Sequence, residues 1–370
     1  MNVIRKAKYD AMLARLRHPE KRTWIILNSV SIGETAATCA FADAFVKKHG
    51  YGITLVIRPE QKAIAEMFPG RFEQVIVATQ AEQQEIQRFL PPEQFQLDIP
   101  FASYCDSLGD ARTDNIYYLF KYPNRGGLSF TDCYRHLLML PWDAKMQRPT
   151  IPLSWEHEAQ AYASEVGIIP EESVILFPST SSSHPQFPAF MWHTLIERLK
   201  VNGKKVFCNM KGGLIHPEKM PIDGTIPIEV PIHLAMSLAR IAGRIITPPN
   251  GLHFLQMLGG QVGNITVVAP MNDVNADFVI NQRHYANTFM FAEYTNPELL
   301  VDVPYAEFVL PYDASQEAKI KEIAVAVADY DLDHPAHFRR NGAGRPAFVE
   351  ENRAWLAPLI DPIRRPNFQS

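Results

Sequence analysis

Apolar and polar positions along this chain group into short units, most of them an apolar run followed by a segment with helical spacing. In the first half, residues 24–29 (WIILNS) predict a strand, and 34–48 carry Ala, Phe and Val at helical spacing. Residues 53–57 (ITLVI) predict a second strand, 61–68 a helix and 74–77 (QVIV) a third strand. Residues 114–120 (DNIYYLF) read as a strand or a helix start, and 133–140 as a helix closing this half. Residues 147–152 (QRPTIP) then predict a linker, because their two prolines favour extended backbone and disfavour helix continuation. The pattern restarts beyond it. Helix 155–166, strand 173–177, helix 190–200 and strand 205–208 come first; helix 232–241, strand 244–247, helix 252–258 and strand 264–269 follow. Residues 316–328 and 348–359 predict two further helices across a polar loop. Strands alternating with helices predict an α/β chain with parallel sheets, divided into 1–150, 151–312 and a helical tail, 313–370. Open sheets of this kind receive ligands beyond the carboxyl ends of their strands, so the residues after each strand are where chemistry is expected.

Composition narrows the classes. The 370 residues are 46% hydrophobic and 21% charged, with a formal net charge of −4. That balance, with no basic stripe interleaved with aromatics, speaks against a nucleic-acid partner. Charge is uneven, however. Arg5, Lys6, Lys8, Arg15, Arg17, Lys21 and Arg22 face only Asp10 and Glu20 at the start of the chain. This stretch predicts a short basic helix with a weak apolar stripe of Ile4, Ala7, Ala11 and Ala14. It fits either a solvated helix packed on the first domain or peripheral contact with an anionic inner membrane face. The stretch lacks the apolar segment of a secretory signal, and no run approaches the roughly 20 apolar residues of a spanning helix. Cys39, Cys105, Cys133 and Cys208 lie far apart, the pattern of reduced thiols in a cytoplasmic protein, and indicate neither zinc nor disulfides.

Several motifs fail on inspection. Residues 342–347 mimic a dinucleotide fingerprint, but no strand precedes them and Pro346 interrupts the loop. Asp329, Asp331 and Asp333 open like a calcium loop, but His334 and Arg340 stand where Gly and Glu are needed. Three strand-end loops survive. Residues 28–35 join the first strand to its helix, with Glu34 near the helix N-terminus as either a cap or a general base. Residues 178–184 (PSTSSSH) offer hydroxyls and close backbone approach to a phosphate, or simple flexibility. Residues 247–260 (TPPNGLHFLQMLGG) set Asn250, Gly251 and His253 at a helix start, where an anion is favoured and where His253 would otherwise cap or pack. Arg58, just after the second strand, is either a phosphate or sugar contact or a surface arginine.

In their order along the chain these loops resemble the GT-B glycosyltransferases, above all the ADP-heptose:lipopolysaccharide heptosyltransferase family, across residues 24–270. Ser31-Ile32-Gly33-Glu34 compares with the family's "GD" at the first helix, 179–192 with its phosphate loop and tryptophan-bearing helix, and Asn250-Gly251-Leu252-His253 with its "(S/T)-G-x-x-H" turn. Glu34 replaces the family's aspartate, the phosphate loop lacks the usual lysine, and one residue fewer separates Gly251 from His253. The resemblance implies two Rossmann-like domains, with C-terminal helices returning to the first. It implies an inverting, metal-independent transfer that needs no cofactor, from a nucleotide-diphosphate sugar to a glycan or other hydroxyl acceptor. The donor diphosphate would meet Ser179, Thr180, Ser181, Asn250, Gly251 and His253, and the base would meet Met210, Lys211 and Gly212, which otherwise read as a plain surface turn. Glu34 would be the catalytic base, and bacterial surface glycan assembly the setting. A non-catalytic binding subunit on the same architecture stays open, since the lysine and aspartate are both absent.

Overall fold

The computed structural model describes residues 3–21, 23–28, 32–89, 101–104, 131, 134–135, 138, 140–141, 143–179, 187–211, 221–248, 250–259, 264–271, 305–311 and 314–330. They fall into two compact units that divide between Thr150 and Ile151.

The first unit is built on a parallel sheet of β1 (Thr23–Asn28), β2 (Gly52–Ile57), β3 (Gln74–Val77) and β4 (Phe101–Tyr104), in the order β3-β2-β1-β4. The two central strands are the most apolar and lie fully buried through Ile25, Ile26, Leu27, Ile53, Leu55, Val56 and Ile57. The expected helix over 34–48 is two helices, α2 (Ile32–Ala40) and α3 (Ala42–His49). Phe41 breaks them at φ −96°, ψ 3°, its buried ring beneath the Arg135 guanidinium 5.0 Å from the centroid. Gly50 ends α3 in the left-handed region at φ 73°, its N–H bonded to Val46 O at 2.9 Å. A short 3₁₀ turn (Pro59–Gln61) leads into α4 (Lys62–Glu66), and α5 (Gln80–Phe89) follows β3.

The basic helix forms as α1 (Val3–Leu16), but the stripe read from sequence is not its packed face. Ala7, Ala11 and Ala14 are exposed, while Leu16 enters a cluster with Ile25, Leu27, Val56, Ile76 and Ile86, and Met12 packs against it. Larger side chains bury more area, and so take the inward position. Arg15 Nη1 ties α1 to α5 through Glu82 Oε1 at 2.8 Å. Glu82 also closes a reciprocal cap on α5: Thr79 N–H donates to Glu82 Oε2 at 2.7 Å and Glu82 N–H to Thr79 Oγ1 at 3.3 Å. The Thr79 N–H, the Arg15 guanidinium and the Thr79 hydroxyl hold the Glu82 carboxyl down at about 2. A carboxyl held low in the fold stabilises it above its unfolded value and loses that contribution as pH falls through the folded one. The stability gap between the parent and Glu82→Gln is therefore expected to be full above about pH 4.5 and to close by about pH 2, measured as urea midpoints across that window.

The second unit carries six parallel strands: β5 (Ser173–Leu176), β6 (Lys205–Asn209), β7 (Ile226–Ile228), β8 (Gly243–Thr247), β9 (Asn264–Met271) and β10 (Tyr305–Pro311). Their order is β10-β9-β8-β5-β6-β7. Side chains alternate along each strand, so Val174 and Leu176 face one way and Ile175 the other. On the Val174 side lie α7 (Ala189–Val201) and α10 (Glu317–Asp329), sharing one core through Trp192, Leu195, Leu199, Ile320, Ala324 and Val327. Elsewhere α6 (Leu153–Val166) packs with α8 (Ile232–Ala242), and α9 (Gly251–Gly259) follows β8.

The expected tail helix 348–359 lies outside the described residues, and the other, α10, packs in the core of the second unit. Two contacts fix its C-terminus there. Arg244, 5% exposed at the start of β8, donates from Nη2 to Val327 O at 2.5 Å and to Thr266 Oγ1 at 3.3 Å. A cation at a helix C-terminus meets carbonyls that lack helical partners. Burial pulls the Arg244 guanidinium down to about 10, which leaves it charged at neutral pH. Arg198 grips Asp329 with two bonds at 2.6 and 2.8 Å, so this aspartate serves an ion pair. The expected helices 133–140 and 348–359, and the segment 114–120, lie largely or wholly outside the described residues. Among the described residues no helix is long and apolar enough to cross a membrane.

Candidate active site

Strand order locates the site in each unit. In the second unit the chain runs outward from β5 through β6 to β7, then crosses back to β8 and runs outward through β9 to β10. Connections leave β5 and β8 in opposite directions, which opens a crevice at their carboxyl ends, where open α/β sheets bind ligands. Ser179 follows β5, and Asn250 and Gly251 follow β8. The loops singled out in the sequence thus flank the switch point.

Asn250 organises this end of the sheet. Its Oδ1 accepts the N–H groups of Leu252 and His253, both at 3.0 Å, and so caps α9. Its Nδ2 donates to Thr247 Oγ1 at 2.9 Å and to Ser179 O at 3.4 Å, linking the β8 end to the β5 loop. His253 completes the exchange, its Nδ1 accepting the Asn250 N–H at 2.8 Å. This is the reciprocal geometry of a capping box, with Asn and His in the places usually held by Ser/Thr and Glu. Accepting at Nδ1 puts the ring proton on Nε2, and the residue is 2% exposed. The ring thus sets the Asn250 backbone through Nδ1. Asn250's amide also serves the cap, and Gly251 and Ser179 beside it are both half-buried. Thr180 and Ser181 lie outside the described residues.

A second asparagine repeats the device at the end of β6. Asn209 Oδ1 accepts N–H groups of Val230 at 2.9 Å and Lys211 at 3.2 Å, and its Nδ2 donates to Lys211 O at 2.7 Å. Met210 N–H bonds Ile228 O at 2.8 Å, so Met210 and Lys211 form a pinned turn beyond the strand. Gly212 is outside the described residues. Sequence reading marked the turn at Asn209 but not the role of its side chain, and gave Thr247 none; the available signal was a polar residue ending an apolar strand.

In the first unit the switch point lies between β1 and β4, whose ends pair Asn28 with Tyr104. Glu34 occupies the first turn of α2, the helix that leaves β1 at this point. It is half-buried, whereas Gly33 and every residue from Thr35 to Ala40 are buried. A carboxylate there gains from the positive helix end and keeps access to solvent. Arg58 follows β2, is 23% exposed along its side chain, and lies 3.2 Å from Glu60 Oε1 through Nε, while its N–H bonds Gln61 Oε1 at 2.8 Å. The structure thus gives Arg58 a local carboxylate partner at the start of the 3₁₀ turn.

No protein-family model and no curated protein matches the chain. Among solved structures it is similar to the ADP-heptose lipopolysaccharide heptosyltransferase II of E. coli, at 10% identity over 83% of this chain and 98% of that one, with a TM-score of 0.51. It also matches a family 9 glycosyl transferase of Veillonella parvula, at 13% identity, TM-score 0.49, covering 86% of this chain and 96% of that one. An E. coli heptosyltransferase solved with ADP matches at 10% identity, TM-score 0.42, over 81% and 99%. The resemblance noted in the sequence thus extends to the fold: this chain shares the parallel-sheet α/β fold of heptosyltransferase II.

Proposed function

We propose that this protein is a glycosyltransferase that moves a sugar from a nucleotide-diphosphate donor to a hydroxyl of a glycan acceptor, in surface glycan assembly. One observation carries the reading. The Asn250 network joins Thr247, Ser179 and the start of α9 at the switch point of the second sheet. That arrangement fixes the start of α9, whose dipole favours a diphosphate, with Gly251 allowing close backbone approach. In this reading the hydroxyls of Thr180 and Ser181 meet the diphosphate, and Met210, Lys211 and Gly212 meet the base. In the reaction the acceptor oxygen attacks the anomeric carbon, the bond to the diphosphate oxygen breaks, and Glu34 takes the hydroxyl proton. One such displacement inverts the anomeric centre. The helix dipole and the Gly251 backbone meet the charge on the leaving diphosphate, so the reading needs no metal.

Thermal unfolding with ADP, UDP, GDP and CMP, each with and without EDTA, tests this. A nucleotide at about 100 times its Kd stabilises by about 2.7 kcal/mol. For a unit of this size that raises the midpoint by roughly 5–10 °C. One diphosphate is expected to give an EDTA-insensitive rise and thereby identify the donor's nucleotide. No rise with any of them overturns the donor site, and a rise abolished by EDTA overturns the metal-free mechanism.

A further inference from the structure

A hydroxyl on α6 is tied to the turn that ends β6. Tyr162, half-buried, holds the backbone of Glu229 in both directions: its Oη donates to Glu229 O at 3.0 Å and accepts the Glu229 N–H at 3.1 Å. A tyrosine hydroxyl is both donor and acceptor, so it serves the two bonds at once. The next residue, Val230, gives its N–H to Asn209 Oδ1 at 2.9 Å, and the same oxygen accepts the Lys211 N–H at 3.2 Å. Side-chain bonds thus run from α6, through the loop after β7, to the turn after β6. Asn209 is 5% exposed, so water does not replace its bonds when they are lost. Lys211 Nζ also lies 3.7 Å from Glu229 Oε2, but both side chains are largely exposed, and such a pair contributes little. The neutral bonds hold the turn.

Other contacts already seat the elements involved. His233 of α8 meets Glu158 Oε1 at 3.1 Å and the Trp155 ring at 5.2 Å between centroids, and Arg240 donates to Glu156 Oε1 at 3.2 Å, which fastens α6 to α8. Pairing with β6 holds β7. What the Tyr162 bonds add is a fixed backbone at Met210 and Lys211. We infer that Tyr162 is a positioning residue for nucleobase selection, acting through Glu229, Val230 and Asn209. The inference rests on the proposed donor site, which puts the base at this turn. One base is told from another by donors and acceptors held at set places, and a mismatch costs most where the protein groups do not shift to meet it. A turn released from α6 adapts to each base and so discriminates less.

Kd values of the full chain for ADP, UDP and GDP, measured by calorimetry, test this. The parent is expected to prefer one of the three. Tyr162→Phe, which removes only the hydroxyl, is expected to narrow that preference by about 3- to 10-fold. Asn209→Ala is expected to narrow it further. Glu156→Gln alters the Arg240 contact on the same helix but leaves the turn alone, and is expected to keep the parent's ratio. A general loosening of the fold weakens all three nucleotides by one factor and leaves the ratio as it was, so an unchanged ratio in Tyr162→Phe overturns the inference. Equal affinities in the parent, or an equal narrowing by Glu156→Gln, overturn it too. A parent that binds none of the three overturns the donor site, and this inference with it.

Discussion

A Glu34→Gln variant is expected to lose about 10²- to 10⁴-fold in transfer rate while keeping the nucleotide-induced rise in unfolding midpoint. Glutamine matches glutamate in volume and reach but cannot accept the acceptor proton. The substitution is conservative for the fold, because Glu34 is the half-buried residue in a helix whose other positions from Gly33 to Ala40 are buried. The carboxylate's interaction with the positive end of α2 is worth about 0.3–1 kcal/mol, so stability falls by no more than about that amount. The two readouts therefore separate chemistry from packing. Unchanged turnover removes Glu34 as the base. Loss of turnover together with the nucleotide response points to a damaged fold. The longer side chain, where the resembled family has aspartate, places the proton acceptor one methylene further from the helix. Glu34→Asp thus asks whether that extra reach is required.

The interior strands were all legible, and so was the edge strand β3, whose QVIV run is apolar although largely exposed. β1, β2, β5, β8 and β9 are interior strands with neighbours on both sides, and their apolar runs marked them to within a few residues. The three strands that the pattern does not predict, β4, β7 and β10, all lie at the edges of the described sheets. Edge strands need no continuous apolar run: β7 is three residues long with Pro227 at its centre, and β10 carries Glu307 between Ala306 and Phe308. Helix α5 escaped for a related reason. Its sequence, QAEQQEIQRF, is polar, and its buried positions include Gln83. The identity of the loops at the switch points was readable, because small and polar residues interrupt apolar runs there. The job of each residue was not. His253 at a helix start suggests an anion contact as readily as a cap, and the cap became visible only in the Asn250 N–H to Nδ1 bond. The α1 stripe misled because alanine scores as apolar while gaining little by burial, so Met12 and Leu16 took the inward face.

Trp192→Ala is expected to cost about 3–5 kcal/mol, a large share of the 5–15 kcal/mol that holds most domains folded. The side chain is fully buried at the centre of the second unit's core, beside Phe187 at 6.0 Å between ring centroids and at 72°. Leu195 and Leu199 of α7, Ile320 and Ala324 of α10, and Val174 and Leu176 of β5 share that core. Truncation therefore removes the packing that seats both helices on the sheet. Trp192→Phe separates this role from ligand contact. Nε1 of Trp192 is buried with no hydrogen-bond partner among the described residues. Phenylalanine gives up some apolar volume but also removes an unpaired donor, whose burial costs about 1–3 kcal/mol. The two effects oppose each other, so Trp192→Phe is expected to change stability by less than about 1.5 kcal/mol. Denaturant midpoints for the two variants, alongside nucleotide affinity for Trp192→Phe, decide the matter. A tryptophan that serves the core loses stability on truncation and leaves nucleotide affinity untouched when phenylalanine fills its place. A tryptophan that serves the donor shows the reverse, and that outcome would move α7 from scaffold to binding surface.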